Sequence, residues 1–431
     1  MIATRNGTHG NHNHHGNHGD RNGSGAVRVA TYSPGMVGFG HIRRNASIAQ
    51  ALRASELRPA IVMIAEAWQA GTLPMPEGVD CVTLPSLRKE SEGIYASRFA
   101  DMTDQDILAV RGRVIRGAMQ GFHPDVLIVD HLPRGAAREL DGTLGRLRRR
   151  AGTRCVLGLR DVLQDRDTVQ RQWSARGFSN NVRESYDAIW IYADPAAYDL
   201  ARDCEAFGQF ADRIRYTGYL DQRPRLELAR PWTESLLSRL PEGRLALCVV
   251  GGGHDGDDLA EAFVRTPLPE DMFGIVVTGP YMSVQHRQRL QEAVREHPRM
   301  QVIDFLPEPI ALVERADRVV AMGGYNTVCE VLSLEKHALI VPRVRPNREQ
   351  WIRARRMREL GLIHVLHPDL VHPDSLGEWL AKDLGSPPAS RSVLDFGGLD
   401  RIPGLLAELL EGPTVHSPNG TTRPDAEEVS R

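Results

Sequence analysis

The sequence predicts an α/β protein built from two Rossmann-like, doubly wound domains facing each other across a cleft. Three observations lead there. Short apolar strands alternate with helical segments along the chain, which is the pattern of parallel sheets flanked by helices. The alternation comes in two comparable series, separated by a stretch from Leu220 to Pro241 that is rich in Pro, Arg and Leu. Glycine-rich turns recur after the strands, at the sheet edge where such folds bind ligands. The expected organisation is a tail over residues 1–25, an N-terminal domain over 26–220 and a linker over 221–242. A C-terminal domain follows over 243–411, its last helix placed to pack back on the first domain, with a second tail over 412–431.

In the first series, strands are predicted at Val27 to Thr31, Ala60 to Ala65, Val126 to Asp130, Arg154 to Leu159, Ala188 to Tyr192 and Ile214 to Thr217. In the second they are predicted at Leu245 to Val250, Phe273 to Thr278, Met300 to Asp304, Arg318 to Met322 and Ala338 to Val341. Residues 1–25, mostly Gly, Asn and His, cannot bury apolar surface and read as an unstructured tail or as an adventitious metal binder.

A length of 431 residues is enough for two cores. The balance of 53 Lys and Arg against 55 Asp and Glu gives a net charge of -2, which calls for neither nucleic acid nor an anionic membrane. No apolar run approaches the roughly 18 to 20 residues of a membrane span, and the N-terminus lacks an apolar signal core. A cytoplasmic protein with at most peripheral membrane contact is expected. Its oligomeric state is not legible. Five dispersed cysteines without a C-x-x-C pair point to reduced thiols.

The most informative stretch runs from Ala321 to Gln350. An apolar strand enters Gly323-Gly324, followed by Tyr325, the polar pair Asn326-Thr327 and a helix carrying Glu330. Free backbone N–H groups and the positive end of a helix dipole then meet at one point, which suits a diphosphate. One turn further in, a carboxylate accepts hydrogen bonds from ribose hydroxyls. After the next strand, Glu349 and Gln350 open a helix near the same edge and are aimed at sugar hydroxyls. The arginines around them, Arg343 to Arg356, read mostly as a solvated face, with Trp351 and Ala354 in the core. Gly251-Gly252-Gly253 repeats the phosphate-sized turn at the start of the second domain.

On the other side of the cleft, Gly38-Phe39-Gly40-His41 leads into a helix whose Ile42, Ala46, Ala49 and Leu52 share one face. His41 and Asn45 then lie near its start. Either an acceptor approaches closely here with His41 as a general base, suited by an ordinary pKa of about 6.5, or the glycines only permit a turn and His41 caps the helix. The strand-end pairs Asp130-His131 and Arg160-Asp161 either line the cleft, with Arg160 binding an anion, or form local salt bridges and caps. There is no P-loop, H-E-x-x-H, Cys/His zinc spacing or G-x-S-x-G elbow. Metal-independent chemistry without a cofactor is the expectation.

Over residues 245 to 362 the chain resembles the GT-B glycosyltransferases of family 28. The resemblance rests on Gly323 to Glu330, on Pro342 followed by Arg348-Glu349-Gln350, and on Asp304-Phe305-Leu306. It implies that the glycine turn holds a donor diphosphate, Glu330 the ribose, the backbone of Phe305 and Leu306 the nucleobase, and Glu349 and Gln350 the sugar. Glu349 stands where the family often has Gln. The N-terminal loop departs from the family's G-G-x-G-G-H pattern and implies an acceptor-side role for Gly38, Gly40, Asn45, His131 and Arg160 without naming an acceptor. The expected function is inverting, metal-independent transfer of a sugar from a UDP- or dTDP-sugar to a hydroxyl or amine. The acceptor would be a small molecule, a saccharide or a lipid-linked one. His41 is the expected base, with Asp130 or Asp161 in its place otherwise. A nucleotide-sugar hydrolase or 2-epimerase on the same fold, or a non-catalytic sugar-nucleotide-binding protein, are the alternatives.

Overall fold

The structure, a computed structural model, describes residues 26–34, 39–66, 73–91, 94–98, 101–150, 152–252 and 255–412. Gly38, Gly253 and both tails apart from Gly412 lie outside the described residues.

The N-terminal half contains β1 (Arg28–Ser33), β2 (Ala60–Ala65), β3 (Val79–Thr83), the antiparallel pair β4 (Leu87–Ser91) and β5 (Ile94–Ser97), then β6 (Val126–Asp130), β7 (Arg154–Arg160), β8 (Ala188–Tyr192) and β9 (Ile214–Tyr216). Apart from the hairpin these form one parallel sheet, in the order β3-β2-β1-β6-β7-β8-β9. The C-terminal half contains β10 (Arg244–Val249), β11 (Met272–Val277), β12 (Met300–Ile303), β13 (Arg318–Ala321), β14 (Ala338–Ile340) and β15 (His364–Val365). They form a second parallel sheet, in the order β12-β11-β10-β13-β14-β15. Central strands such as β6 and β11 are buried at every position because helices cover both faces, so they read as unbroken apolar runs.

Each sheet reverses its winding once. The reversal lies between β1 and β6 in the first and between β10 and β13 in the second. A doubly wound sheet opens a crevice at such a point, because the loops leaving the two neighbouring strands turn to opposite faces. The described residues at these two points are Ser33-Pro34 and Phe39 to His41 with Asp130-His131, and Gly251-Gly252 with Met322 to Asn326.

The eleven predicted strands are all present, with ends within two residues. Four others are not predicted from the sequence. Edge strand β3 carries Asp80 and Thr83 on exposed positions, so it lacks the apolar run that marks a central strand. The hairpin β4/β5 is rich in charge, and β15 has only two residues. The stretch read as a linker holds a helix, Arg225–Leu237, whose Leu226, Ala229 and Leu237 pack on Ile310 and Ala311. Its apolar face makes it part of the second domain.

The chain passes between domains twice, and the two passages touch. Leu220 and Gly397 form an antiparallel bridge, Tyr219 N donates to Asp395 O (2.8 Å) and Gly398 N donates to Tyr219 O (3.1 Å). The last helix, Gly398–Glu411, lies against the helix Gly40–Ala54 of the first domain and buries Ile402 and Leu406. One apolar cluster runs through both domains, joining Ile42 and Tyr192 to Tyr219, Tyr325 and Phe396. A second fills the outer layer of the C-terminal domain around Val250, Phe263 and Trp379. No described helix is long and apolar enough to cross a membrane. All five cysteines are unpaired.

Candidate active site

The helix Gly40–Ala54 starts at the first sheet's reversal point without a side-chain cap. His41, its second residue, faces Asp130 at the end of β6, with Nδ1 2.7 Å from Oδ2. Arg44, one turn further on, donates through Nη2 to both oxygens of Asp130 (2.7 and 2.6 Å). The same Nη2 lies 2.9 Å from His41 Nδ1, but a guanidinium only donates, so its protons serve the carboxylate. Burial alone would raise the Asp130 carboxyl; Arg44 and His41 outweigh it and hold the group well below the usual carboxylate range. An ionised Asp130 accepts a hydrogen bond from His41 Nδ1–H, which leaves the lone pair on Nε2. Burial lowers the His41 pKa below its ordinary value, with Asp130 working the other way. The arrangement therefore keeps a neutral, oriented imidazole near neutral pH. Asn45 is fully buried, and neither atom of its amide has a partner.

The second sheet supplies two backbone turns at its reversal point. Gly251, with φ +68, and Gly252 follow β10. They are packed so tightly under Gly279 that a Cβ there would stand 2.9 Å from the Gly252 carbonyl carbon. Gly323 and Gly324 follow β13 and lead into the helix Tyr325–Ser333, which also begins without a side-chain cap. Its first N–H groups are left for a ligand. Arg343 N donates to Gln350 Oε1 (3.0 Å), and the Arg343 side chain pairs with Glu349 and with Asp255 (2.6 Å). Glu349 Oε2 is buried without a partner.

Asn326 joins the two halves. Its Nδ2 donates to Gly40 O (2.5 Å), and its Oδ1 accepts from Arg44 Nη1 at 3.5 Å. The approach depends on glycine, since a Cβ on Gly40 would stand 2.6 Å from Asn326 Nδ2. Thr327 is partly exposed beside it. Nearby, Arg43 donates to Pro307 O (2.5 Å) and Leu306 O (3.4 Å), and Phe39 lies against Phe305 with ring centroids 5.3 Å apart. The dyad on the first domain and the helix start on the second thus belong to one site.

Several expectations need correction. Asp161 is fully buried and held by Arg353 of the other domain, with Nη2 to Oδ1 2.6 Å and Nε to Oδ2 2.9 Å. It also accepts from Val162 N at 2.6 Å. Its lone pairs are taken, which removes it as a base. Tyr325 turns its ring away from the donor turn; its hydroxyl donates to Tyr192 O (2.6 Å), and Arg44 and Arg353 lie over the ring. Only its backbone faces the turn. Arg353 is 1% exposed, not part of a solvated face, because it also reaches Gly323 O (3.0 Å). Trp351 is half-buried, edge-on to His367, while Ala354 is buried. Glu330 is one turn into its helix, but its Oε1 accepts from Arg225 Nη1 (2.8 Å), and Arg225 also pairs with Glu308. The remaining lone pairs of Glu330 are what a ribose would use.

The pairs at the strand ends also resolve. Asp130 and Asp161 each pair with an arginine elsewhere in the chain, so neither forms the local bridge with its neighbour. His131 adopts φ +68, and its ring lies 5.6 Å from that of His41. Arg160 Nη2 lies 3.3 Å from His131 Nε2. Sequence reasoning missed Arg44, Arg225 and Arg353. The one available signal was spacing: Arg44 stands three residues after His41, and Arg353 four after Glu349, so each shares a helix face with a predicted site residue. Among the described residues, no three His, Cys, Asp or Glu side chains gather as a metal site would require.

Comparison with known proteins bears on the second domain most directly. Residues 246–390 match the family model for the glycosyltransferase family 28 C-terminal domain. A relative from Prochlorococcus marinus (strain NATL1A) is 31% identical over 112 residues, 25% of this chain and 31% of that one. It is described as UDP-N-acetylglucosamine--N-acetylmuramyl-(pentapeptide) pyrophosphoryl-undecaprenol N-acetylglucosamine transferase. A protein of the same description from Serratia proteamaculans (strain 568) is 26% identical over 204 residues, 46% of this chain and 50% of that one. The chain thus spans between about a third and a half of the length of the curated relatives it matches. Among solved structures, the glycotransferase of kitacinnamycin aligns over 89% of this chain and 99% of its own, with TM-score 0.57 and 17% identity. UDP-GlcNAc 2-epimerase from Methanocaldococcus jannaschii aligns over 88% and 99%, with TM-score 0.58 and 12% identity. At these identities the likeness concerns the fold, and the fold is that of the GT-B glycosyltransferases.

Proposed function

Starting from a family 28 domain over residues 246–390, we propose that the protein transfers a sugar from a nucleoside diphosphate sugar to a hydroxyl or amine acceptor, inverting the anomeric carbon. One observation carries the reading. The oriented base dyad His41–Asp130 and the uncapped helix start at Gly324 meet across the interdomain cleft, tied together by Asn326.

In this reading the donor diphosphate sits against Gly251-Gly252 and the N–H groups from Gly324 to Thr327. Bond breaking leaves negative charge on the diphosphate, and fixed amide dipoles stabilise it without reorganising. No resident metal or cofactor is invoked for this step. The ribose uses Glu330, and the sugar hydroxyls use Glu349 and Gln350. His41 Nε2 takes the acceptor proton as the acceptor oxygen or nitrogen attacks from the first domain. Asp130 stabilises the imidazolium that forms. UDP is the donor nucleotide we favour, by analogy with the names of the curated relatives.

Thermal melts with UDP, dTDP, their sugars and NAD test the donor class. Stabilisation of several degrees by UDP or dTDP and none by NAD is the expected result. Stabilisation by NAD alone would overturn it. Release of UDP at full rate without an acceptor would instead make the protein a hydrolase, and interconversion of the sugar at C2 an epimerase. Tight donor binding with no turnover over a broad acceptor panel would make it a binding protein.

A further inference from the structure

Several arginines around the cleft are paired with carboxylates. Arg44 is matched by Asp130, Arg353 by Asp161, Arg343 by Glu349 and Asp255, and Arg225 by Glu308 and Glu330. Arg160, at the end of β7, lies in the middle of this set and has no carboxylate within ion-pairing distance among the described residues. Its hydrogen-bond partner is His131 at the end of β6.

That bond fixes the roles of both groups. Arg160 donates, so His131 Nε2 accepts and the proton of the neutral imidazole sits on Nδ1. His131 Nδ1 and Arg160 Nε are both buried with no partner. Two adjacent side chains therefore present donors for which the protein supplies no acceptor, and one of them is a cation. Unmatched buried donors are costly, and native proteins leave few of them. Both residues keep part of their surface exposed, although these two atoms are themselves covered. The electrostatics agree. Burial, then Arg353 and Arg44, bring Arg160 down to about 10, and burial followed by Arg160 holds His131 well below its ordinary value. Glu349 and Asp130 work the other way on Arg160, and Asp130 on His131, but offset only part of this.

We propose that Arg160 and His131 form an oxyanion subsite on the acceptor face of the cleft, which takes a carboxylate or phosphate group carried by the acceptor. The assignment rests on the glycosyl transfer proposed above and adds a substrate class to it: an acidic acceptor. Both residues leave strand ends of the first sheet, beside His41. The donor turns leave the second sheet and already have a helix start for the diphosphate. An acid held at Arg160 would place the rest of the acceptor near the dyad.

Calorimetric titration of the full chain with inorganic phosphate, in the presence of saturating UDP, separates the two possible sources of the anion. Phosphate is expected to bind saturably while UDP fills the donor site. Arg160→Gln should weaken phosphate about tenfold or more, the effect of losing a charge-assisted contact, and change UDP affinity by less than about twofold. Arg160→Lys, which keeps the charge and loses the fork, should fall between and covers the case in which the glutamine variant fails to fold. No saturable phosphate binding beside UDP, or equal binding by wild type and Arg160→Gln, would overturn the subsite. A parallel loss of UDP affinity would reassign Arg160 to the donor diphosphate and overturn it too. Absence of UDP binding by wild type would refute the glycosyl-transfer reading itself, and the acceptor class with it.

Discussion

Replacing Asp161 with Asn should weaken the whole molecule, by an amount that follows from the burial of its partner. Asp161 is 0% and Arg353 1% exposed, and the two share a fork of contacts between 2.6 and 3.0 Å across the domain boundary. Asparagine keeps the shape and one acceptor but no charge. Arg353 would retain only Gly323 O (3.0 Å) and Val162 O (3.2 Å) as full acceptors. Leaving one member of a buried pair uncompensated costs roughly 3 to 5 kcal/mol. At about 2 to 4 °C per kcal/mol for domains of this size, the melting temperature should fall by about 6 to 20 °C. Urea unfolding and thermal melts of Asp161→Asn, Asp161→Leu, Arg353→Met and the combined Asp161→Leu/Arg353→Met variant form the test, the last three closing a double-mutant cycle. The double variant should regain most of the loss, because replacing both charges with apolar groups is close to neutral. The coupling between the sites should reach about 2 kcal/mol. A loss below about 1 kcal/mol in Asp161→Asn, or purely additive losses in the double variant, would show that the pair does not join the domains as described.

The other expectations concern the site. His41→Ala should leave the melting temperature within a few degrees, since the Asp130–Arg44 pair survives, yet slow transfer by roughly 10²- to 10⁴-fold; an unchanged rate with a cognate acceptor would refute its role. Because the base must be neutral, activity should rise with pH along an acid limb placed below about 6.5, and Asp130→Asn should move that limb lower still, having removed the group that raises the His41 pKa. Asp130 is also depressed in the folded state, so its contribution to stability is present above the unfolded carboxyl value of about 4 and fades as pH falls below it. The stability deficit of Asp130→Asn measured by melts should shrink in the same window. Glu330→Ala should weaken UDP binding by calorimetry while also leaving Arg225 with Glu308 as its one carboxylate, so a lower melting temperature should accompany it. Asn326→Ala should lower kcat more than it raises donor KM, since the residue ties the donor helix to the dyad; an effect confined to KM would place it with the donor alone.

How far the sequence carried these conclusions depended on the kind of interaction. Central strands such as β6 and β10 declare themselves because both faces are buried, and their apolar residues need no partner information. The glycine turns were equally plain, since a backbone approach leaves a residue type behind it. Pairings across the domain boundary were not. Nothing near Asp161 marks it as the partner of Arg353, 192 positions away, and a basic run at the surface looks like one that ends in the core. Charged residues are read as solvated by default, and here the buried Arg44, Arg225 and Arg353 break that default. Glu330 shows the same effect in reverse: its position was legible, but Arg225, which lies in the supposed linker, was not.

The paired passages at Leu220 and Gly397 set the mechanics of the cleft. Two chain segments that cross side by side and hydrogen-bond to each other would act as a hinge pin rather than as separate tethers, resisting twist and sliding while permitting rotation about their shared line. Opening then becomes a swing with one principal axis, and the far edge travels most. The contacts of Arg43 with Leu306 and Pro307, of Asn326 with Gly40 and of Arg353 with Asp161 hold the domains together away from that line. Cutting the chain before Asp395 would remove half of the pin and the last helix with it, leaving the domains joined through Leu220 and the Asp161–Arg353 pair.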